Sequence, residues 1–549
     1  MRRFILFCII VLLYFFQFVI YRHFLSMNEQ MEFRQLVAAY LSCGAAALVL
    51  ASLVFVCKTK LLHILMMSIV DIWLLANCIY TAANNVWIDW QVILNADQIR
   101  GFETSVLSYL QWKYVMFPFL FGVTIYILCL FRLHDTYRLW RAFGIVQLVV
   151  AFLYISSWKI RIAYIDTTLT PIRKEKLIIK THSPIVHLLL IGREAVLETI
   201  VQRKAHQPLT PEERRILSSI YKTDSVQSSS PKGHLVFVLV ESFESWALEA
   251  KDVTGRDVCP SLNRYIKTHD VLYSGKVISQ HVYGRSGDGQ LITQTGLLPL
   301  SHGITCMQYG ENVYPNLAHF YADGVVLNPF AKVWNSQVTT YSYGFKRLRE
   351  PSSSIKHETD SSIFVQAREE LEKAYTPICV LAITLNTHVP FLSVPPTIEV
   401  DKEYSAIENR YLQCAHYLDT HLGNFLAWAD TAKTMVDATI VITADHNHFP
   451  KENGKGVCPL IIRSPAIKQS TRIVYAYQMD IFPTVLHAIG QSNYAWHGFG
   501  IDLLDSTAVR AISQEEAYSL SEKIIRTNFF EDSHEIKESS TNDVSKLQK

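Results

Sequence analysis

The chain has almost no imbalance of charge. Its 51 lysines and arginines against 49 aspartates and glutamates leave a formal net charge of +2 over 549 residues. That is too weak an electrostatic footprint to argue for a nucleic-acid partner. It also lacks the cysteine spacing of a thiolate zinc site, because no CxxC occurs among its ten cysteines. Cys8, Cys43, Cys57, Cys78 and Cys129 fall in or beside apolar segments. Cys259, Cys306, Cys379, Cys414 and Cys458 fall later, an odd number that supports no disulfide framework. A signal-peptide cleavage site is missing too. Arg2-Arg3 and an apolar run open the chain, but no small-x-small site follows, so the run reads as an uncleaved anchor. Charged residues make up only 18% of the chain and hydrophobic residues 50%. That composition is unusual for a soluble protein, and its apolar excess lies before about Trp158.

What is there divides into four parts: a transmembrane domain over 1–158, an amphipathic connector over 159–231, an α/β domain over 232–508 and a polar tail over 509–549. The first part shows five apolar runs, about Phe4–Ile20, Leu36–Val56, Leu61–Ala82, Val115–Leu130 and Trp140–Ser157. Each is near the roughly 20 residues that cross a bilayer as a helix. Arg2 and Arg3, then Lys58 and Lys60, then Arg132, Arg138 and Arg141 fall on one side of a five-span topology. The loop Ala83–Gln111 on the other side has Arg100 alone. By the positive-inside rule the N-terminus is cytoplasmic and everything after Trp158 is extracytoplasmic. Reading one span as a buried or re-entrant helix would invert the later domain.

In the connector, Pro184–Arg203 has a helical apolar pattern. Thr210-Pro211-Glu212-Glu213 reads as a helix start, and Ser225–Pro231 as a linker. The connector is expected to be a spacer on the membrane surface, with a regulatory arm as the alternative. From Gly233 onward, apolar strands alternate with helical stretches. The strands are Leu235–Val240, Val271–Ile278, Ile378–Thr384, Ala438–Thr443 and Val457–Arg463; the helices are about Tyr404–Ala429 and Ile481–Ile489. That alternation predicts an α/β fold with a largely parallel central sheet. The tail from about Gln514 is charged and poor in apolar pattern, with disorder expected over Glu531–Lys549.

The chemistry sits at strand ends. Asp445-His446 follows the apolar run Ala438–Thr443, Glu241 follows Leu235–Val240, and between them lies Tyr283-Gly284-Arg285-Ser286-Gly287-Asp288-Gly289. Open α/β sheets place their ligands at the carboxyl edge of the strands. Two carboxylates, an imidazole and a hydroxyl suit a divalent cation, manganese, magnesium or zinc. Such a cation stabilises the alkoxide of Ser286, a weak nucleophile on its own, and neutralises charge on a phosphoryl oxygen. The glycines around Ser286 allow tight turns and close approach. A helix over Gln290–Thr295 would turn its N-terminal amides toward the developing anion. The bland alternatives are a chance Asp-His pair, a capping glutamate and an ordinary turn.

The ordered set of motifs resembles the lipoteichoic acid synthase family, in the sulfatase-like branch of the alkaline phosphatase superfamily. It comprises Val240-Glu241-Ser242-Phe243, Pro260-Ser261-Leu262-Asn263, Gly284–Gln290, Thr295-Gly296-Leu297-Leu298-Pro299, Asn386-Thr387-His388-Val389-Pro390-Phe391, Thr443-Ala444-Asp445-His446, Pro459–Ile462 and Gln478–Thr484. The resemblance implies a membrane-anchored phosphoglycerol transferase of the cell envelope, with manganese as cofactor. Such an enzyme takes a phospho-head group from a membrane phospholipid through a covalent intermediate and hands it to an extracytoplasmic glycan, polymer or lipid. Carried over by motif, Glu241, Ser286, Asp445 and His446 would hold the metal and Ser286 would be the nucleophile. Arg285, Trp334 and His388 would contact substrate, His388 at the phosphate or leaving group; its bland reading is a histidine structuring the turn before Pro390. Three departures stand out. Serine replaces the family's usual threonine nucleophile, Ser336 follows Trp334-Asn335 where the family has arginine, and Leu327-Asn328 occupies the region of a family histidine. Lys332, Lys346, Arg347 and His357 are candidates for the missing charge.

Three alternatives differ in chemistry. A phosphoethanolamine transferase shares the anchor and metal logic but resembles enzymes with several external disulfides. A sulfatase-like hydrolase activated as formylglycine needs a C/S-x-P/A-x-R sequence, which Ser286-Gly287-Asp288-Gly289-Gln290 does not provide; a phosphodiesterase does not need it. A non-catalytic membrane receptor would have no reason to keep all four metal-site residues.

Overall fold

The computed structural model describes residues 2–28, 31–56, 60–84, 87–88, 92–93, 109–130, 144–146, 149, 179–193, 210–221, 230–301, 303–329, 331, 333–351, 359–449, 454–510 and 512–532. They form two units, Met1–Val201 and Gln202–Lys549.

The first unit is helical. Helices Arg2–Phe24, Phe33–Val56 and Lys60–Asn84 contain three stretches long and apolar enough to cross a membrane, Phe4–Phe24, Phe33–Leu53 and Ile64–Ala82. Trp112–Ile127 is a shorter apolar helix. The expected fifth span falls outside the described residues apart from 144–146 and 149. The boundary between the two units falls within the segment 159–231. Residues 179–193 pack into the helical unit. Buried Arg22 donates to the Lys180 carbonyl at 2.7 Å, Trp73 Nε1 donates to the Pro184 carbonyl at 3.1 Å, and the Ser183 amide donates to Ser42 Oγ at 3.0 Å. The cause is the apolar face of Ile179, Val186 and Ile191, which is buried there.

The second unit is built on a nine-stranded sheet: β1 Leu235–Val240, β2 Val271–Ile278, β3 Asp323–Leu327, β4 Arg347–Arg349, β5 Ile378–Ile383, β6 Thr439–Ala444, β7 Cys458–Arg463, β8 Thr471–Arg472 and β9 Ala476–Tyr477. The spatial order is β4-β3-β5-β1-β6-β7-β2-β8, with β9 beside β2. The first five are mutually parallel, and β7 runs antiparallel to both β6 and β2. β1, β5 and β6 are buried at every position, which is why they read as unbroken apolar runs rather than alternating ones. β1 lies between β5 and β6, and the chain leaves it for opposite halves of the sheet. The carboxyl ends of these three strands therefore frame the crevice at a topological switch point.

Two helices cover one side of the strands. Thr359–Lys373 and Ala406–Thr431 meet through Phe364 and Phe425, whose ring centroids are 6.0 Å apart. Ser405 and Glu408 close a capping box at the start of the second. Thr210 and Glu213 do the same for Pro211–Ile220, as their spacing predicts.

Of the polar segment 509–549, residues 509–510 and 512–532 are described. Gln514–Arg526 is a helix, opened by a Ser513–Glu516 capping box, that buries Ala517, Leu520, Ser521, Ile524 and Ile525. Their i, i+3, i+4 spacing is an amphipathic stripe hidden among charges. Ser521 Oγ donates to the Leu298 carbonyl at 2.6 Å and accepts from the Leu298 amide at 2.9 Å. The helix thus belongs to the α/β unit.

Candidate metal centre and active site

The register of the central strands assembles the site. Val240 of β1 pairs with Ala444 of β6, so the next residues, Glu241 and Asp445, emerge side by side. His446 follows. One donor atom from each of Glu241, Asp445 and His446 lies within 4.8 Å of the others, and all three side chains are buried. Ser242 ties the group together. Its amide donates to Asp445 Oδ1 at 2.8 Å, and its hydroxyl donates to Glu241 Oε1 at 2.6 Å. Asp445 Oδ1 also accepts the His446 amide at 2.7 Å, whereas Asp445 Oδ2 is buried with no hydrogen-bond partner. A buried carboxylate oxygen without a donor is costly unless something else neutralises it. Beside a second carboxylate and an imidazole, that oxygen fits a divalent cation.

Electrostatics agree. Burial, and then the charge of Asp445, push the Glu241 carboxyl well above its usual range. Burial pulls His446 down, against the opposing pull of Asp445. A cation bound there would offset the desolvation that raises Glu241 and would take the lone pair of a neutral His446.

Ser286 joins this set. Its hydroxyl donates to Glu241 Oε2 at 3.1 Å and lies 3.4 Å from His446 Nε2. The helix begins at Ser286 itself, earlier than the expected Gln290–Thr295. Its first-turn amides are already used, Gly287 donating to the Gly284 carbonyl at 2.8 Å and Gly289 to the Arg285 carbonyl at 2.9 Å. The left-handed residue of the turn is Arg285, at φ 44°, not a glycine. The glycines act through close approach. A Cβ on Gly289 would lie 2.3 Å from the Asp445 carbonyl, and one on Gly284 would lie 2.2 Å from Asp288 Oδ1. Ser242, Trp334, Asn335 and Phe391 also have positive φ. Strained backbone of this kind concentrates at functional sites.

Asp288 and Glu244 brace the site, and neither was singled out as a site residue from sequence. Asp288 Oδ2 accepts the Val282 and Gly284 amides at 2.8 and 2.9 Å, and burial raises its carboxyl to about 7. Glu244 accepts the amides of His448, Phe449 and Gly456 and the indole N–H of Trp246, holding the loop after His446. Both follow motif residues by two or three positions, the only signal the sequence offers.

Of the expected substrate contacts, His388 lies past the end of β5, with Nδ1 2.6 Å from the Val389 carbonyl. Desolvation lowers it to about 4, and the charges of His446, Asp445 and Arg285 also act on it. Arg285 is buried, and its charge is felt at His388, His446 and His448. Trp334 packs close to the nucleophile turn, its Cβ 3.7 Å from where a Gly287 Cβ would stand. Ser336 donates to the Val333 carbonyl at 2.6 Å and accepts from Asn328 at 3.1 Å, and Asn335 donates to the Cys306 carbonyl at 2.9 Å. Two candidates for the missing charge are committed elsewhere: Lys346 to the Ala322 carbonyl, and Arg347 to Asp323 and Glu370. Lys332 and His357 lie outside the described residues.

A carboxylate–imidazole–hydroxyl set at the switch point of a largely parallel sheet defines the protein class, and comparison agrees. Residues 234–491 match the Sulfatase family. Lipoteichoic acid synthase 1 of Bacillus subtilis is 25% identical over 331 residues, covering 54% of this chain and 52% of that protein. Lipoteichoic acid synthase of Staphylococcus saprophyticus is 22% identical over 311 residues, covering 50% and 48%. The chain thus spans about half the length of the curated relatives it matches. Among solved structures, lipooligosaccharide phosphoethanolamine transferase A from Neisseria meningitidis shares the fold with a TM-score of 0.55 at 12% identity, over 89% of this chain and 96% of that one. Residues 234–491 thus form a sulfatase-like domain, similar to the lipoteichoic acid synthases, with apolar helices ahead of it.

Proposed function

We propose that this chain is a membrane-anchored, metal-dependent phosphotransferase that moves a phospho-head group from a phospholipid to an extracytoplasmic acceptor through phospho-Ser286. The observation that carries the reading is the Ser286 hydroxyl, 3.1 Å from Glu241 and 3.4 Å from His446. The other serine hydroxyl on Glu241, that of Ser242, is buried and ties the strand ends together, whereas Ser286 is half-buried and can meet a substrate. Glu241, Asp445, His446 and Ser286 would hold the cation, manganese first, with zinc and magnesium as alternatives. Bound there, the cation would lower the cost of an alkoxide on Ser286 and neutralise phosphoryl charge.

The chain's own groups supply the rest. Ser286 Oγ gives up its proton and forms a bond to phosphorus as the bond from phosphorus to the lipid glycerol oxygen breaks, and that leaving oxygen takes up a proton in exchange. The acceptor hydroxyl then attacks phosphorus and gives up its proton as the bond to Ser286 Oγ breaks and Oγ is reprotonated. His388 faces the leaving oxygen with its ring fixed by the Val389 carbonyl. Arg285 contributes positive charge for the phosphoryl oxygens. Trp334 walls the head group. Phosphoglycerol is the head group that the resemblance favours.

The basic residues flanking the apolar runs support five spans with a cytoplasmic N-terminus in a bacterial-type cytoplasmic membrane, and a catalytic domain outside. A phosphoethanolamine donor is the second reading. It is favoured by Ser336, a neutral buried residue where a cation would meet glycerol phosphate. The test is diacylglycerol release by the full chain with manganese from phosphatidylglycerol or phosphatidylethanolamine vesicles. Release that Ser286→Ala abolishes supports the reading and names the head group. Release unaffected by Ser286→Ala, or none from either lipid, overturns it.

A further inference from the structure

The backbone of Glu241 is held from the β5 side. The ladder between β1 and β5 ends at the pair Leu239 and Ile383. Glu241 lies beyond it, and its amide and carbonyl still need partners. Two threonine hydroxyls supply them. Thr384 Oγ1 accepts the Glu241 amide at 3.2 Å, and Thr387 Oγ1 donates to the Glu241 carbonyl at 2.5 Å. Both threonines are buried. Thr387 is also the neighbour of His388, in a loop that is fixed at both ends. Buried Asp360 accepts the Leu385 and Asn386 amides through Oδ1 at 2.7 and 3.0 Å, and Asn386 Oδ1 accepts the Asp360 amide at 2.9 Å. Asn386 Nδ2 donates to Ser393 Oγ at 3.1 Å, and Ser393 Oγ donates back to the Asn386 carbonyl at 3.0 Å. Between these ties the His388 amide donates to the Leu385 carbonyl at 2.8 Å, and the Phe391 amide donates to the His388 carbonyl at 3.0 Å. The loop that carries His388 thus reaches Glu241 through the residue beside that histidine.

We propose that Thr387 is a positioning residue that fixes His388 relative to the metal ligand Glu241, so that the ligand set and the group at the leaving oxygen keep one spacing. The inference rests on the phosphotransfer reading and deepens it. Asp360 and the Asn386–Ser393 pair hold the loop from the side of the helix Thr359–Lys373, and Thr387 sets its distance from β1. Removing the Thr387 hydroxyl takes this donor from the Glu241 carbonyl and also frees the loop from β1. Removing the Thr384 hydroxyl disturbs Glu241 and leaves the loop tied. A shift of about 1 Å at a reacting group costs on the order of 100-fold in rate, and the loop's remaining ties keep the expected loss below that.

The test reads manganese affinity and melting temperature of the full chain, and its rate of Ser286 adduct formation from phosphatidylglycerol vesicles at saturating manganese. Thr387→Val keeps the shape and removes the donor. It is expected to weaken manganese binding roughly tenfold, the low end for outer-shell partners, and to slow adduct formation roughly tenfold. Thr387→Ser, which keeps the hydroxyl, is expected to recover most of both losses. Thr384→Val is expected to weaken manganese binding with a much smaller loss of rate. Equal rate losses in Thr384→Val and Thr387→Val would place the effect in Glu241 alone and overturn the inference. So would a lowered melting temperature in Thr387→Val with manganese affinity and rate unchanged. Should Thr387→Val not fold, Ser393→Ala decides. Opening the loop at that end is expected to slow adduct formation several-fold with manganese affinity unchanged, and an unchanged rate overturns the inference. No adduct on the wild type overturns the phosphotransfer reading and this inference with it.

Discussion

Ser242 donates its backbone amide to Asp445 Oδ1 at 2.8 Å, joining residues 203 positions apart in the chain. The bond uses one carboxylate oxygen for structure and leaves Oδ2 for another partner. It also holds Ser242 at φ 48°, which turns its hydroxyl onto Glu241. The two strand ends are thereby locked into one ligand set before anything binds.

Asp445→Asn separates the two duties. The amide carbonyl can still accept from Ser242 and His446, so the fold survives. The charge at Oδ2 does not. Manganese retained after dialysis, measured by elemental analysis, should fall more than about 100-fold in affinity, beyond the 10–100-fold typical of outer-shell partners. Full metal retention would show that the cation sits elsewhere.

Glu244→Gln should be destabilising although it is nearly isosteric. Four N–H donors converge on this carboxylate, and an amide nitrogen would face two of them. The expected cost is about 2–3 kcal/mol, from buried donors left without acceptors. Thermal unfolding reads it, and faster hydrogen exchange over 446–449 should accompany it. An unchanged melting temperature would mean that the donors are satisfied another way.

Asp288 gives a pH prediction. Its carboxyl is raised from 3.8 to about 7 by burial. A raised acid binds its proton more tightly in the folded state, so folding stability declines as pH rises from about 4 to about 7 and levels off above. The contribution is up to about 4 kcal/mol, roughly three pH units at about 1.4 kcal/mol each. In metal-free protein, Asp288→Asn should flatten that part of the stability curve. An unchanged slope would assign it to other groups.

Leu520→Ala tests whether the Gln514–Arg526 helix belongs to the catalytic fold. Leu520 is 2% exposed. Its truncation should cost about 2–4 kcal/mol in thermal unfolding. A negligible effect would return the segment to a dispensable tail.

What the sequence disclosed follows from how each signal is carried. β1, β5 and β6 are fully buried and wrote themselves as apolar runs, so their carboxyl ends, and Glu241, Asp445 and His446 with them, were legible. The Arg347–Arg349 strand was not, since three half-buried residues at a sheet edge make no pattern. The Gln514–Arg526 helix was hidden by its charges, because mean polarity masks a stripe at 517, 520, 524. The helix start at Ser286 was missed because Gly287-Asp288-Gly289 reads as a turn, and only packing against the Asp445 carbonyl makes it helical. Asp288 and Glu244 work through hydrogen bonds to residues brought near by the fold, which spacing along the chain does not encode.

The central claim is a covalent phospho-Ser286, and intact mass of the full chain tests it most directly. The protein is incubated with manganese and phosphatidylglycerol vesicles and quenched within a single turnover. The account predicts a mass increase equal to the transferred phospho-head group, mapped to Ser286 and absent from Ser286→Ala. Diacylglycerol release with no adduct in the wild type, or an adduct that persists in Ser286→Ala, would contradict it.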